Sequence, residues 1–452
     1  MKEKGLSLGT KLGFGVCDLG GNLFFTIMGF YLLNFVTDVT LLGAGLAGTA
    51  LLIGKIWDAA IDPAIGFFSD RTASRLGRRR PWMLGGAVLL VFALILQFTN
   101  PHIQSQFWLF AWLIGVYCLL VTAYSVINIP YGALTPELTR DYDGRTVLNA
   151  YRMSFAVVGT FVGAGLVLPI VGAFSDKNTG YTVMAAVMGA IISGTAMITI
   201  FTVKEPKRAA AEASEQQGFF KTYAAALKNK PFVLALVTYA LHITGISVVQ
   251  GALIYYFKYI YHNADAFLLG MICLLVPSLI FIPVWTAISK RIGKKWSYNI
   301  GMGMVAVALM IVFFFAADRG PTFMYIVMGI AGIGHSTNYV MPYAIIPDTA
   351  ELDYALNGVR REGAFYGLWN FMLQIGQAFA NALNGWILAA FGYIANVEQT
   401  AHAQFGIRLL VGPAAALFII VGVATLSFYP ITRKYYDTVI MPKVAEWDRK
   451  KG

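Results

Sequence analysis

Residues 44–68 read AGLAGTALLIGKIWDAAIDPAIGFF. An apolar helix of roughly 20 residues, rising about 1.5 Å per residue, crosses the hydrocarbon core of a bilayer, and this run is long enough. Its apolarity is continuous rather than alternating, which excludes a barrel strand. Yet it carries Lys55, Asp58 and Asp62. Spacings of three and four put all three side chains on one helical face. A membrane helix charged along one stripe must turn that stripe towards a protected polar interior, because isolated charge in lipid is costly. The stretch therefore specifies a helical membrane bundle with something polar inside it.

The rest of the chain repeats the pattern. Further apolar runs fall near 12–35, 82–99, 107–134, 147–173, 181–203, 232–258, 266–288, 297–316, 322–346, 363–391 and 405–429. The expected fold is an all-α membrane protein of twelve transmembrane helices, with no strands. Composition agrees: 58% of the 452 residues are hydrophobic and 13% are charged, against about 25% charged in soluble domains. That excludes an ordinary soluble enzyme and a disordered chain. The short basic start, MKEKGLSLGTK, runs into the first apolar segment without a small-residue cleavage site, so it is read as a retained first helix rather than a leader.

The net charge of +11 would suggest nucleic acid in a soluble protein. Here the basic residues mark orientation instead. With the N-terminus in the cytoplasm, 28 of the 34 Lys and Arg fall in cytoplasmic segments and only Lys177, Lys258, Arg319 and Arg408 fall near the outside. This asymmetry predicts cytoplasmic N- and C-termini in a multi-pass protein of the cell (inner) membrane, whose partners are the lipid bilayer and a small solute, with no nucleic acid. A monomer is expected. The three cysteines sit in apolar runs and propose neither a disulfide framework nor a zinc site.

The polar stretch 204–231 divides the chain. The expected organisation is an N-terminal six-helix bundle over 1–203, a cytoplasmic linker over 204–231, a C-terminal bundle over 232–430 and a cytoplasmic tail over 431–452. The halves echo each other. Arg75-Leu76-Gly77-Arg78 is answered by Arg291-Ile292-Gly293-Lys294, and Ile129-Pro130-Tyr131 with Pro136-Glu137 by Met341-Pro342-Tyr343 with Pro347-Asp348, at nearly one offset. Parallel six-helix repeats around a central polar site resemble the major facilitator architecture of secondary transporters.

Asp18, Asp62, Asn128 and Arg152 each lie about five to seven residues from the cytoplasmic end of their helix, a shared depth of roughly 8–10 Å. Lys55 and Asp58 lie deeper. Lys55 with the two carboxylates leaves one negative charge, which one Na⁺ or one proton would neutralise, so Asp58 and Asp62 are candidate coupling residues and, for Na⁺, candidate metal ligands. A structural ion-paired cluster is the other reading. Asp18 and Arg152 suit a hydroxyl-rich solute, accepting and donating respectively, or they pair with each other. Tyr124, Tyr343 and Trp369 are candidate sugar-facing rings, or else core or interface aromatics. Asp70, Arg71, Arg75 and Arg78 through Arg80 form either a positive-inside loop or a gate closing on Glu137, Asp141, Asp348 and Glu351. Gly159 and Gly163 have the spacing of close helix packing. His242, His262 and His335 are isolated. No phosphate loop, nucleophile elbow or HExxH motif is present, so neither an enzyme nor an ATP-driven pump is expected, and no cofactor beyond the coupling cation, H⁺ or Na⁺.

Several of these stretches resemble one family. Gly15-Val16-Cys17-Asp18-Leu19-Gly20, Phe30-Tyr31-Leu32-Leu33-Asn34-Phe35-Val36-Thr37-Asp38, Lys55 through Pro63, Ser69-Asp70-Arg71-Thr72, Pro81-Trp82 and Asn128-Ile129-Pro130-Tyr131-Gly132 are similar, in order, to the glycoside–pentoside–hexuronide:cation symporters, whose best-known member is the melibiose carrier. The resemblance implies cation-coupled symport of a sugar or glycoside by alternating access. It implies that Asp58, Asp62 and Ser125 lie at the cation site and that Asp18 and Arg152 bind sugar. Three departures follow. Ile61 stands where the melibiose carrier has an Asn cation ligand, and supplies no oxygen. Asn128 and Gly132 stand where it has an Asp and a Trp in the sugar pocket. Gln374 stands where it has a Lys. These imply a different solute: another glycoside, a pentoside, an oligosaccharide or a hexuronide. A lysolipid or other amphiphile carrier of the same fold is the alternative, and a membrane sensor a more distant one.

Overall fold

The computed structural model describes residues 6–72, 74–138, 142–203, 205, 219–359 and 361–451. Its ordered elements there are all helical: α1 (Leu8–Phe30), α2 (Leu32–Asp38), α3 (Ala44–Arg71), α4 (Arg80–Gln97), α5 (Gln106–Leu138), α6 (Tyr142–Gly172), α7 (Lys177–Thr202), α8 (Phe219–Leu227) and α9 (Lys230–Tyr255). They continue as α10 (Ala266–Ile280), α11 (Ile282–Ile292), α12 (Lys294–Ile311), α13 (Ala317–Asn357), α14 (Glu362–Ala390), α15 (Ala401–Leu409), α16 (Ala415–Ser427), α17 (Arg433–Tyr435) and α18 (Met441–Lys451). Among the described residues, nine helical stretches are long and apolar enough to cross a membrane, or ten if the bent pair α10 and α11 is one span.

The runs at 297–316 and 322–346 follow one another within the stretch Lys294–Asn357 but fall on two helices, α12 and α13, that pack against each other. The backbone leaves the helix between them at Gly320, whose φ of 73° and ψ of −178° are open to a residue without Cβ. Elsewhere one run holds two helices. The run at 12–35 breaks at Tyr31. The run at 266–288 bends by 47° between α10 and α11, where Pro277 and Pro283 withhold backbone donors.

The chain divides into two compact units. The first comprises Met1–Ala210 with Asn381–Ala403, the second Ala211–Ala380 with Gln404–Gly452. In the first, α1 packs against α6 and α7, α4 against α5 and α7, and α3 against α5. The α1–α6 contact is backbone-close. A Cβ placed on Gly159 would lie 2.1 Å from the Leu19 carbonyl oxygen, and one on Gly163 would lie 2.8 Å from Thr26 Cβ, which explains the small residues at this spacing. In the second unit, α13 packs on α10 and α12, and α9 and α12 pack on α16. A core of Phe232, Leu236, Tyr239, Phe365, Leu368 and Trp369 joins α9 to α14.

Many large apolar side chains point outward: Phe92, Phe107, Trp108, Phe201, Val307 and Ile326 are all more than half exposed. In water such a surface would be an aggregation liability; in a bilayer it is the solvated face. The two echoed loops also agree in backbone. Gly77 has φ 107° and Gly293 has φ 88°, a region that favours glycine, so the repeated Arg-x-Gly-basic motif needs its glycine in both places.

Candidate functional site

Two clusters of charge lie in the first unit, both built on helices that carry a polar face. On α3, Lys55 Nζ is 3.0 Å from Asp58 Oδ2, and both side chains are buried, at 5% and 8% exposure. The pairing follows from their spacing of three residues on one helix. Ser125 Oγ, on α5, donates to Asp58 Oδ1 at 3.0 Å. One turn away, Trp57 Nε1 donates to Thr122 Oγ1 at 2.9 Å, so α3 and α5 are tied twice. Both Asp58 oxygens are therefore engaged, one by an ammonium and one by a hydroxyl. Asp62 lies a turn further along α3, half-buried, and contributes to the field at Lys55. Pro63 follows it inside the helix and has no N–H to give to the Ala59 carbonyl, which weakens the helix beside the two carboxylates.

The second cluster joins α1, α5 and α6. Arg152 grips Asp18 with two donors, Nε to Oδ2 at 2.6 Å and Nη2 to Oδ1 at 3.2 Å. This is the planar fork that arginine forms with a carboxylate. The Tyr131 hydroxyl reaches the Asp18 carboxylate and the Phe14 carbonyl at 3.0 Å, with one proton to donate between them. The Tyr131 ring packs at 4.6 Å from that of Phe14 and lies 5.0 Å from the Arg152 guanidinium. Arg152 Nη1 also reaches Thr135 Oγ1 at 3.3 Å. Asp18 and Arg152 thus satisfy each other, yet neither is sealed: their side chains are 13% and 21% exposed.

Tyr124 lies between the clusters, within electrostatic reach of Asp18, Asp58 and Asp62. Its ring stacks on Phe24 at 4.2 Å and meets Phe25 edge-on at 5.3 Å, while the Lys55 ammonium lies 5.7 Å from the Phe25 centroid. Tyr124, Ser125, Asn128 and Tyr131 recur at helical spacing along one side of α5. Asn128 is exposed there. One stripe of α5 therefore touches or borders both clusters. Among the described residues, no three His, Cys, Asp and Glu side chains converge as a metal site.

Gln374 and Trp369 belong to the second unit. Gln374 is half-buried on α14. Trp369 is 2% exposed, stacked on Tyr239 at 3.8 Å and 6.5 Å from Tyr343, so its ring is part of that unit's core.

The gate residues find partners within their own units. Asp70 pairs with Arg79 Nη2 at 2.9 Å. The Arg71 guanidinium covers the Phe67 ring at 3.4 Å, and Arg75 is exposed. Arg78 meets Glu205 at 3.5 Å, and Glu205 also accepts the backbone N–H of Arg78 at 2.8 Å and of Arg79 at 3.1 Å. In the second unit Lys294 Nζ lies 2.7 Å from Asp348, and Glu351 accepts from the Tyr436 hydroxyl. Asp141 and the side chain of Glu137 lie outside the described residues.

Two residues enter these sites that the sequence does not single out. Tyr131 stands in a visible Ile-Pro-Tyr motif, but its role needs the contact across to α1. Glu205 sits in the basic run Lys204–Arg208 that opens the stretch read as linker, and the polarity of its neighbours conceals a loop-capping carboxylate.

Comparison with known proteins places this geometry. Residues 13–433 match the family of MFS/sugar transport proteins. The isoprimeverose transporter of Lactiplantibacillus pentosus is 30% identical, over 88% of this chain and 84% of its own. The sodium-dependent lysophosphatidylcholine symporter 1-A of Danio rerio is 25% identical, over 95% of this chain and 87% of its own. Among solved structures, a bacterial homolog of the human lysosomal transporter Spinster, inward-facing and unoccupied, matches with a TM-score of 0.66 at 12% identity, over 96% of this chain and 97% of that one. At that identity the likeness shows the fold.

Proposed function

The chain belongs to the MFS/sugar transport protein family, and we propose that within it this protein is a proton-coupled symporter of a glycoside, working by alternating access. It is a transporter, not an enzyme. The observation that carries the choice of proton is the engagement of both Asp58 oxygens. Its two oxygens already hold Lys55 and Ser125, and Ile61 adds no oxygen. A cation cage is hard to build from what is left, whereas a proton needs one carboxylate, and Asp62 supplies it. Loading Asp62 changes the charge of the cluster, and so the free-energy difference between conformations of the surrounding helices.

Asp18 and Arg152, with Asn128, Tyr124 and Gln374, are the proposed sugar-binding groups. A glycoside inserts its hydroxyls into the Asp18–Arg152 fork, replacing one charge-assisted contact by donor and acceptor contacts of its own. Trp369 is the further proposed sugar-binding residue. The proposed topology is twelve spans in two bundles, 1–203 and 232–430, joined by the linker 204–231, with the tail 431–452 and both termini in the cytoplasm. It rests on the concentration of basic residues in alternate loops. The acidic and basic loop residues Asp70, Arg71, Arg75, Arg78, Glu137, Asp141, Asp348 and Glu351 are the proposed gate. An E. coli relative is described as an inner membrane symporter, which supports the same location here for a multi-pass monomer.

The test is uptake by the purified full-length protein in liposomes, against a panel of radiolabelled glycosides that includes isoprimeverose and glucuronides. The expected result is accumulation driven by an inward proton gradient and collapsed by an uncoupler. Accumulation driven only by a Na⁺ gradient overturns the proton assignment, and absence of gradient-driven uptake for the whole panel overturns glycoside symport. The lysophosphatidylcholine symporter among the relatives favours a second reading, an amphiphile carrier, and lysophosphatidylcholine belongs in the panel for that reason.

A further inference from the structure

We propose that the bilayer face of α12 carries a phospholipid-binding site, in which two acyl chains straddle the helix and the phosphate sits on Arg319. The site lies wholly within the second unit. Two grooves run along α12, with volumes of about 370 and 210 Å³, and every side chain lining them is apolar. Gly303, Val307 and Ile311 line both. Their spacing of four makes them one stripe, so a single ridge of α12 separates the grooves. Ile420 and Val423 of α16 form the far wall of the larger groove, and Val327 and Ile330 of α13 that of the smaller. The ridge is lowest at Gly303, where nothing lies within 4 Å of the place a Cβ would take.

One cation stands at the end of both grooves. Phe315, in the π-helical turn Val312–Ala316, lines the larger groove. Phe323 lies one turn before Val327 on α13. The Arg319 guanidinium is 5.1 Å from the Phe315 ring and 5.0 Å from the Phe323 ring. A guanidinium held against rings keeps N–H edges for an oxyanion, which it can grip with two donors. Arg319 is exposed, and no ion pair engages it among the described residues. Asp318 is one residue away, a spacing at which helical side chains do not face each other, and it lies within electrostatic reach of Tyr256, just past α9. Arg408, in contrast, is engaged: its Nη2 donates to the Phe313 carbonyl at 2.7 Å.

The dimensions select the ligand. Gly303 and Phe315 lie about 18 Å apart along the helix, at about 1.5 Å per residue. One leaflet of the hydrocarbon core is about 15 Å deep, so the larger groove is about one acyl chain long, with Arg319 a turn further on at headgroup level. Two grooves under one guanidinium match a diacyl phospholipid, with two chains and one phosphate. A lysolipid would fill one groove only, and a soluble anion gains nothing from either.

The test titrates the purified full-length chain in detergent with dioleoylphosphatidylglycerol, read by native mass spectrometry, with thermal unfolding as a second readout. One lipid should bind saturably and raise the unfolding temperature. Arg319→Gln removes a charge-assisted contact and should weaken binding about tenfold. Gly303→Leu fills the low point of the ridge without meeting a neighbour and should weaken it by a similar factor. Phe92→Leu, exposed on α4 of the first unit, should bind as the wild type does. Lysophosphatidylglycerol should bind more weakly than the diacyl lipid. Dioleoylglycerol, which lacks the phosphate, should not distinguish Arg319→Gln from the wild type, and excess inorganic phosphate should displace nothing.

Binding that ignores both Arg319→Gln and Gly303→Leu overturns the proposal. So does lysolipid binding as tight as that of the diacyl lipid, which marks a single-chain amphiphile site, or displacement by inorganic phosphate, which marks a free-anion site. A dimer that Gly303→Leu converts to monomer also overturns it, because a second copy of the chain is then the occupant. If Gly303→Leu does not yield folded protein, Ile420→Trp, exposed on the facing wall, fills the larger groove and takes its place.

Discussion

Gly159→Ala tests whether the pocket is held by the fit of two helices. A Cβ at this position lies 2.1 Å from the Leu19 carbonyl oxygen, and ordinary contact begins at 3.4 Å, so α1 and α6 must part locally by about 1 Å. Backbone cannot swing aside as a flexible side chain can. Overpacking of this kind costs about 1–3 kcal/mol, against a gain of roughly 0.4–1 kcal/mol from stiffening the unfolded chain. Gly115→Ala on α5 is the control, because nothing lies within 4 Å of its Cβ and only the gain applies. The gain is common to both, so the two variants should differ by the overpacking cost, about 1–3 kcal/mol, with the wild type between them. The displacement also reaches the site. Leu19 adjoins Asp18, and the fork to Arg152 spans the same two helices at 2.6 and 3.2 Å. Adding about 1 Å takes the longer arm past hydrogen-bonding range. Unfolding is followed with a thiol-reactive dye, since Cys17 is buried on α1. A Gly159→Ala protein that unfolds at or above the temperature of Gly115→Ala, with unchanged substrate affinity, refutes the reasoning.

Asp62→Asn should abolish uphill uptake while counterflow exchange persists, because the variant is fixed in a loaded-like charge state; gradient-driven accumulation at the wild-type level would contradict the coupling role. Tyr131→Phe keeps the ring against Phe14 and removes only the hydroxyl. It should weaken apparent affinity about tenfold (about 1.4 kcal/mol) with little change in maximal rate, and concentration-dependent uptake reads that split. Asp176 caps the N-terminus of α7, and its carboxyl is lowered from its ordinary value by the Thr179 hydroxyl first and then by the backbone N–H groups of Thr179 and Asn178. A depressed pKa stabilises the fold above the ordinary carboxylate range and is lost as pH falls through the folded value. Asp176→Ala should thus lower the unfolding temperature at pH 7, by an amount that shrinks as the pH falls below the ordinary carboxylate range; a gap that stays constant with pH would count against the cap.

Much of this was legible in the residues. Spacing alone placed Lys55 with Asp58, because three residues on a helix is a local relation and needs no knowledge of the fold. The glycines at 159 and 163 announced a close approach, and the structure supplies its partner, the Leu19 carbonyl. Asp18 with Arg152 was a harder inference, resting on matched depth in separate helices. What could not be read depended on angles between elements or on competition among partners. Nothing local says that the run at 266–288 bends at Phe281. Glu205 outcompetes more distant acids for Arg78 because it lies at the end of α7, beside the loop. Trp369 is as apolar and as polar-tipped as a sugar platform would be, and only the Tyr239 ring stacked on it reveals its burial in a core.

The Lys55–Asp58 pair has a further consequence, for membrane voltage. Its two charges ride on one helix, so any tilt of α3 carries them together. A transmembrane potential pulls on them in opposite directions and does almost no net work. The Asp18–Arg152 fork is likewise neutral as a whole. The potential therefore acts on a coupling charge brought to the cluster, at about 2.3 kcal/mol for each 100 mV crossed in full. In the proposed cycle the two neutral pairs add nothing to the voltage dependence of either half, so whatever voltage dependence transport shows is that of the coupling cation.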